Sequence, residues 1–242
     1  MTTIAMNLQS VHERIASACA AAGRDVNEVT LLPVAKTFAA DAVRAAHAAG
    51  ENAFGENYIQ EAIEKQAQLR DLRLQWHCIG PIQSNKTRLV AEHFDWAQTI
   101  DRLKIAQRLS EQRRDELGPL QVCIQVNIDG GPSKSGVAPE EALDLARAVA
   151  ALPRLRLRGL MTIPEPAGDF AAQVAVHRRA RALFDALRAA GLPLDTLSMG
   201  MTADLEAAIH AGSTMVRVGT AIFGVRSRKP QGEPLTSGAP PA

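Results

Sequence analysis

The sequence predicts a single (β/α)8 barrel of the TIM type with one extra helix at its N-terminus. Three observations carry this. Eight short apolar runs alternate with longer stretches of helical periodicity over most of the 242 residues. The strongest run, Leu120 to Ile128, is rich in Val and Ile, as a strand buried on both faces of a parallel sheet requires. The alternative, an open doubly wound sheet, gains no support. The Gly-x-Gly-x-x-Gly turn that would follow its first strand is absent.

The elements follow in order. Leu8 to Ala22 reads as a helix stopped by Gly23, and Thr30 to Ala35 as the first strand. Ala40 to Ala49 is a helix with Gly50 as its stop, Asn52 to Phe54 a short second strand, and Tyr58 to Arg70 a helix. The third strand is Leu74 to Ile79, after which Ser84 is placed to cap a helix reaching Glu92. Trp96 to Ile100 is the fourth strand, and Asp101 is expected to cap a helix reaching Leu117. After the fifth strand comes a Gly-rich loop, Asp129 to Gly136. Pro139 then opens a helix with Ala142, Leu145, Ala146 and Val149 at helical spacing. Leu155 to Ile163 is the sixth strand, Phe170 to Ala190 a long helix, and Thr196 to Met199 the seventh strand. Thr202 is expected to cap a helix ending at Gly212, and Thr214 to Val218 is the eighth strand. Residues 1–228 are thus expected to form one domain. Residues 229–242, rich in Pro, Gly and Ser, are expected to be a disordered tail.

Bulk composition excludes several classes. A formal net charge of +1 offers no broad field for nucleic acid or a membrane surface, and 4% aromatics leaves no stacking platform for single strands. No apolar run approaches the roughly 20 residues a membrane-spanning helix needs, and the first residues lack a signal-peptide pattern. Cys19, Cys78 and Cys123 are odd in number and widely spaced, which fits reduced thiols of a cytoplasmic protein. The six histidines are scattered without H-E-x-x-H, so a metal site is unsupported.

The chemistry-bearing residues gather where a barrel keeps its active site, at the C-terminal ends of the strands. Lys36 closes the first strand. An ammonium leaving water there loses hydration or its proton, and a neutral amine is what attacks a carbonyl carbon. The loops after strands seven and eight carry Ser198-Met199-Gly200-Met201-Thr202 and Gly219-Thr220-Ala221. Glycines and hydroxyls at those two places suit a phosphate. Arg217 lies within an apolar strand and needs a partner, either a carboxylate such as Glu56 or a ligand at the barrel mouth. His77 could face the same site, although a hydrogen-bonded core histidine is an equal reading. The loop at Lys134-Ser135 lacks the spacing of a nucleotide P-loop. A reactive lysine, a phosphate cup and a buried arginine together match pyridoxal 5′-phosphate, which has an aldehyde, a phosphate and a ring nitrogen.

Several motifs resemble one family. Val34-Ala35-Lys36-Thr37, Phe54-Gly55-Glu56-Asn57-Tyr58, Trp76 through Lys86, Ser133-Lys134-Ser135-Gly136, Arg158-Gly159-Leu160-Met161, Leu197 through Met201 and Met215 through Gly224 look like the pyridoxal phosphate homeostasis proteins. The likeness runs from about Leu8 to Gly224. It implies an alanine-racemase-like barrel with the cofactor joined to Lys36 as a Schiff base. It also implies that Ser198, Gly219 and Thr220 hold the phosphate, that Met199 is among the cofactor-binding residues, that Arg217 faces the pyridine nitrogen, and that Asn57 lines the pocket. Thr202 stands where serine is more usual.

Two functions compete at this point. One is a carrier that stores pyridoxal phosphate, buffers it and passes it to apo-enzymes. The other is an amino-acid racemase or decarboxylase. Racemases of this fold use a second base, a tyrosine from a further domain. The sole tyrosine here is Tyr58, so a carrier without turnover is expected, as a cytoplasmic monomer. An aldolase-type lysine without the cofactor explains Lys36 but not Arg217.

Overall fold

In the computed structural model, which describes residues 2–131 and 135–224, eight parallel strands form a barrel wrapped by helices. The expected tail and the Ser133-Lys134 pair lie outside the described residues.

The first helix, α1 (Thr3–Ala21), begins where the Thr2 side chain accepts the Ala5 N–H. Its buried face, Leu8, Val11, Ile15, Ala18 and Cys19, follows the helical repeat. There follow β1 (Thr30–Pro33), α2 (Ala40–Ala48), β2 (Ala53–Glu56), α3 (Ile59–Gln68), β3 (Gln75–Cys78), α4 (Thr87–His93), β4 (Trp96–Ile100) and α5 (Leu103–Gln112). The second half contains β5 (Leu120–Val126), α6 (Ala142–Ala150), β6 (Leu155–Thr162), α7 (Phe170–Ala189), β7 (Thr196–Ser198), α8 (Leu205–His210), β8 (Met215–Val218) and α9 (Thr220–Phe223). The eight-unit barrel with its extra N-terminal helix is as the sequence indicates.

Differences are local. Ser84 and Pro139 open single 3-10 turns rather than the helices proper, and the helix expected to reach Leu117 stops at Gln112. Thr202 does not cap α8. That position belongs to Asp204, whose carboxylate turns back to accept the Met201 N–H at 2.7 Å. Its carboxylate makes no side-chain bond to the helix N–H groups and instead closes the turn that precedes α8.

The strands run in the order β1-β8-β7-β6-β5-β4-β3-β2. Closure between β1 and β2 rests on the Val34–Gly55 bridge and the Ala35 N–H to Gly55 carbonyl bond of 2.9 Å. Strand side chains alternate between the large core under the helices and smaller clusters within the barrel, one of them Trp96, Cys123 and Met161. Leu31, Ala35, Phe54, Trp76, Cys78, Ala97, Leu197 and Val216 join the large core under the helices. Leu32, Val34, Ile79 and Met215 form a smaller cluster within the barrel. This phase places Lys36, two residues beyond Val34, at the barrel mouth.

The helix α1 packs against α2, α8 and α9. Asn7 donates to the Ile222 carbonyl at 2.8 Å. Arg14 bridges to Glu206 at 2.8 and 3.0 Å and donates to the Thr202 carbonyl at 2.9 Å. The extra helix therefore pins the loop after β7.

Candidate functional site

A cavity of about 540 Å³ opens at the C-terminal ends of the strands, within the usual range for small-molecule sites. Lys36, Asn57, Arg217, Gly219 and Thr220 line it. Phe38, tilted on Phe223 with ring centroids 5.2 Å apart, belongs to one wall.

Lys36 is half-buried, and its backbone is gripped from both sides. The Ala35 carbonyl accepts from Lys65 Nζ at 2.8 Å, and the Thr37 N–H donates to Glu61 Oε1 at 2.6 Å. Thr37 holds a left-handed φ of 67°, costly for a β-branched residue unless its surroundings impose it. Lys65 and Glu61 sit one turn apart on α3, so one helix face fixes the chain direction on either side of the lysine.

Glu56 does not pair with Arg217. It lies on the outer face of β2, between the inward-facing Gly55 and Asn57, and forms a buried ion pair with Lys65. The two-residue alternation of the strand decides this. Burial pushes Glu56 up to about 7, against the lowering effect of the Lys65 ammonium. Its other oxygen has no hydrogen-bond partner. With a folded value above the unfolded value of 4.5, the native state holds the extra proton between the two. Stability from this group is complete below about pH 4.5 and is lost as pH rises through about 7. Relative to Glu56→Gln, the wild type is expected to lose up to about 3 kcal/mol over that window and nothing further above it. Denaturant unfolding at a series of pH values reads this directly. A difference independent of pH would show that Glu56 stays ionised.

Arg217 is buried, with its guanidinium donating to the Ser198 carbonyl and hydroxyl at 2.8 and 2.7 Å and to the Thr162 carbonyl at 2.8 Å. Burial lowers its pKa to about 10, which leaves it charged at neutral pH. Among the described residues no carboxylate forms an ion pair with it, so its charge faces the cavity uncompensated at short range.

Ser198 and Met199 do not reach the cavity surface. Both are fully buried, and the Ser198 hydroxyl is engaged by Arg217 and Gln98. The part of this loop that lines the cavity is Met201, Thr202 and Ala203. The chain turns outward at Gly200, whose φ is 92° and where a Cβ would stand 2.4 Å from that of Ala208. The signal was present in the glycine between two methionines, but Thr202 read equally well as a helix cap. The Asp204 carboxyl supports this loop from behind. Burial raises it, but hydrogen bonds from His177 and the Met201 N–H hold it below the usual range.

His77 faces the barrel interior but not this cavity. It lines a second cavity of about 320 Å³ with Thr30, Trp96 and Thr214, near the N-terminal ends of the strands. Arg158 is an ion-pair partner of Asp195 and covers the Trp96 ring at 4.7 Å. The three cysteines are buried and unpaired, and burial pushes the Cys78 and Cys123 thiols up to about 12. Neither can serve as a nucleophile at neutral pH. Among the described residues there is no cluster able to hold a metal ion and no helix long and apolar enough to cross a membrane.

Pyridoxal phosphate fits this set of residues. Asn57 Oδ1 is buried without a partner beside the cavity, an acceptor awaiting a donor. Gly219 lets the chain pass close to β1, since a Cβ there would meet the Val34 carbonyl at 3.1 Å. Gly80 does the same for Asn57, whose carbonyl would lie 2.1 Å from an added Cβ.

Residues 6–227 match the alanine racemase N-terminal domain family. The chain is 62% identical over 226 residues to the pyridoxal phosphate homeostasis protein of Pseudomonas aeruginosa, covering 93% of this chain and 97% of that one. It belongs to the pyridoxal phosphate homeostasis protein family. The Escherichia coli K12 member is 54% identical over 229 residues, 93% of this chain and 98% of its own. Another relative, PipY of Synechococcus elongatus PCC7942, has been solved with pyridoxal phosphate bound. It is 36% identical with a TM-score of 0.80, covering 91% of this chain and 100% of PipY. Alanine racemase of Clostridium difficile 630 shares the fold at 16% identity and a TM-score of 0.72. The match covers 93% of this chain but 57% of the racemase.

Proposed function

We propose that this chain binds pyridoxal 5′-phosphate in the cavity at the barrel mouth and serves cofactor homeostasis: it stores the cofactor, buffers its free aldehyde and delivers it to apo-enzymes. The observation that carries the reading is the placement of Lys36, Asn57 and Arg217 around one cavity in a chain whose relatives bear that name. When bound, the cofactor supplies an electrophilic aldehyde and a ring that can draw electrons. Lys36 provides the amine for the aldehyde. Thr202, Thr220 and the first N–H groups of α9 provide donors for the phosphate, in place of Ser198. Asn57 Oδ1 accepts from a ring substituent. Arg217 faces the ring nitrogen and, having no lone pair to take a proton, leaves that nitrogen unprotonated. This weakens the electron sink and favours holding over turnover.

Tyr58, the single tyrosine, is exposed and does not line the cavity, which supports a carrier over a two-base racemase. The reduced, buried thiols suit a cytoplasmic protein, and a monomer is the expected state. Two assays on the loaded protein decide between the readings. Mixed with an apo pyridoxal-phosphate enzyme, it is expected to restore that enzyme's activity. Incubated with single amino acids, it is expected to yield no product above background. Steady racemisation or decarboxylation of any amino acid would replace the carrier reading by the enzyme one.

A further inference from the structure

A line of hydrogen bonds runs through the barrel interior beneath the cofactor cavity. Arg217 Nη1 donates to Ser198 Oγ at 2.7 Å, and Ser198 Oγ donates to Gln98 Oε1 at 2.7 Å. Gln98 Nε2 lies 2.9 Å from His77 Nδ1, and His77 Nε2 lies 3.1 Å from Gln75 Oε1. Arg217, Ser198, Gln98 and His77 are all buried, with exposures of 3%, 0%, 0% and 1%. None of these residues but Arg217 lines the cavity, and His77 and Gln75 emerge in the second cavity at the opposite end of the barrel.

The direction of the line follows from donor inventory. A guanidinium only donates, so the Ser198 oxygen accepts from Arg217 and its hydrogen must go elsewhere. Gln98 Oε1 is the acceptor it meets. The Gln98 amide has its nitrogen on the other side for an independent reason. It points at Met215 Sδ, 3.2 Å away, which has no hydrogen to give. Gln98 therefore donates to His77 Nδ1, which must carry no proton, and the proton of a neutral imidazole sits on Nε2 facing Gln75. Burial, aided by the charge of Arg158, lowers His77 to about 3, consistent with a ring that stays neutral.

We propose that Gln98 is a positioning residue for Arg217, acting through Ser198, with neutral His77 as the anchor that fixes the Gln98 amide. Arg217 has no short-range carboxylate to orient it. Its aim into the cavity depends on the Ser198 carbonyl and hydroxyl and the Thr162 carbonyl. The hydroxyl keeps its lone pair toward Arg217 only while Gln98 takes its hydrogen. The proposal rests on the reading that Arg217 contacts the bound cofactor.

The test has one arm without cofactor and one with it. Ring-nitrogen NMR of histidine-labelled apo-protein is expected to find His77 neutral with its proton on Nε2 from roughly pH 5 to 8. A protonated Nδ1 in that range would overturn the hydrogen-bond direction. In the second arm, pyridoxal phosphate is titrated against wild type, Gln98→Leu, Ser198→Ala and Arg217→Met, reading affinity and the visible absorption band. Gln98→Leu is expected to weaken binding about tenfold and move the band. Ser198→Ala, which cuts the same line at a smaller side chain, is expected to do likewise should the leucine not be accommodated. Unmoved bands in both, beside a moved band in Arg217→Met, overturn the positioning role alone. Unmoved bands in all three overturn the Arg217 contact as well.

Discussion

Borohydride treatment of the pyridoxal-phosphate-loaded protein is expected to fix the cofactor to the peptide that carries Lys36, and Lys36→Ala is expected to weaken retention on the order of a hundredfold, about 3 kcal/mol. Limiting cofactor and peptide mass mapping make the measurement. The expectation comes from the backbone around Lys36 as much as from its amine. Lys65 holds the carbonyl before it and Glu61 the N–H after it, so the side chain leaves the sheet in one direction. An amine held in place at the cavity reacts in preference to exposed lysines that pay the full entropy of docking. Fixation at another lysine under limiting cofactor would remove Lys36 from the site.

The second large effect is on stability. Lys65→Met is expected to lower stability by about 3 kcal/mol, and the melting temperature by on the order of 10 °C in calorimetry. It leaves Glu56 buried without its partner and takes a donor from the Ala35 carbonyl. Glu56 can escape part of the cost by taking up a proton, which places the loss at the low end for a broken buried pair. The loss should accordingly be greater above pH 7 than below it, because Glu56 titrates near 7 even with Lys65 present. Glu56→Gln combined with Lys65→Met is expected to recover part of the loss, since no charge is then left unpaired. A single variant as stable as the wild type at alkaline pH would mean that water reaches Glu56 and the pair is not sealed.

Much of the site was legible because it follows from short-range periodicity. Leu32, Val34 and Lys36 keep one phase along β1, and Gly55 and Asn57 keep one phase along β2. Such alternation needs no knowledge of neighbours. The same alternation decides between the two partners open to Arg217, a carboxylate such as Glu56 or a ligand. Glu56 stands out of phase with Asn57, so it faces α3 and cannot meet Arg217. The loop after β7 was harder. Gly200 marks a bend in the chain, but only the contact with Ala208 shows that the bend carries Met201 and Thr202, rather than Ser198 and Met199, to the cavity.

By itself, then, the sequence determined the eight-unit barrel and, through the chemistry of Lys36, Arg217 and the loops after strands seven and eight, the class of ligand, while Asn57 entered through the family likeness. These are properties of spacing along a strand and of side-chain chemistry, both local. Tertiary structure alone decided which groups meet. Ser198 and Gln98 are 100 residues apart in sequence, and Thr162 and Arg217 are 55 apart. Their contact depends on the register in which eight strands close, which no single segment encodes. The same closure chose Lys65 over Arg217 as the partner of Glu56 and left Arg217 aimed at the cavity with only neutral oxygens to hold it.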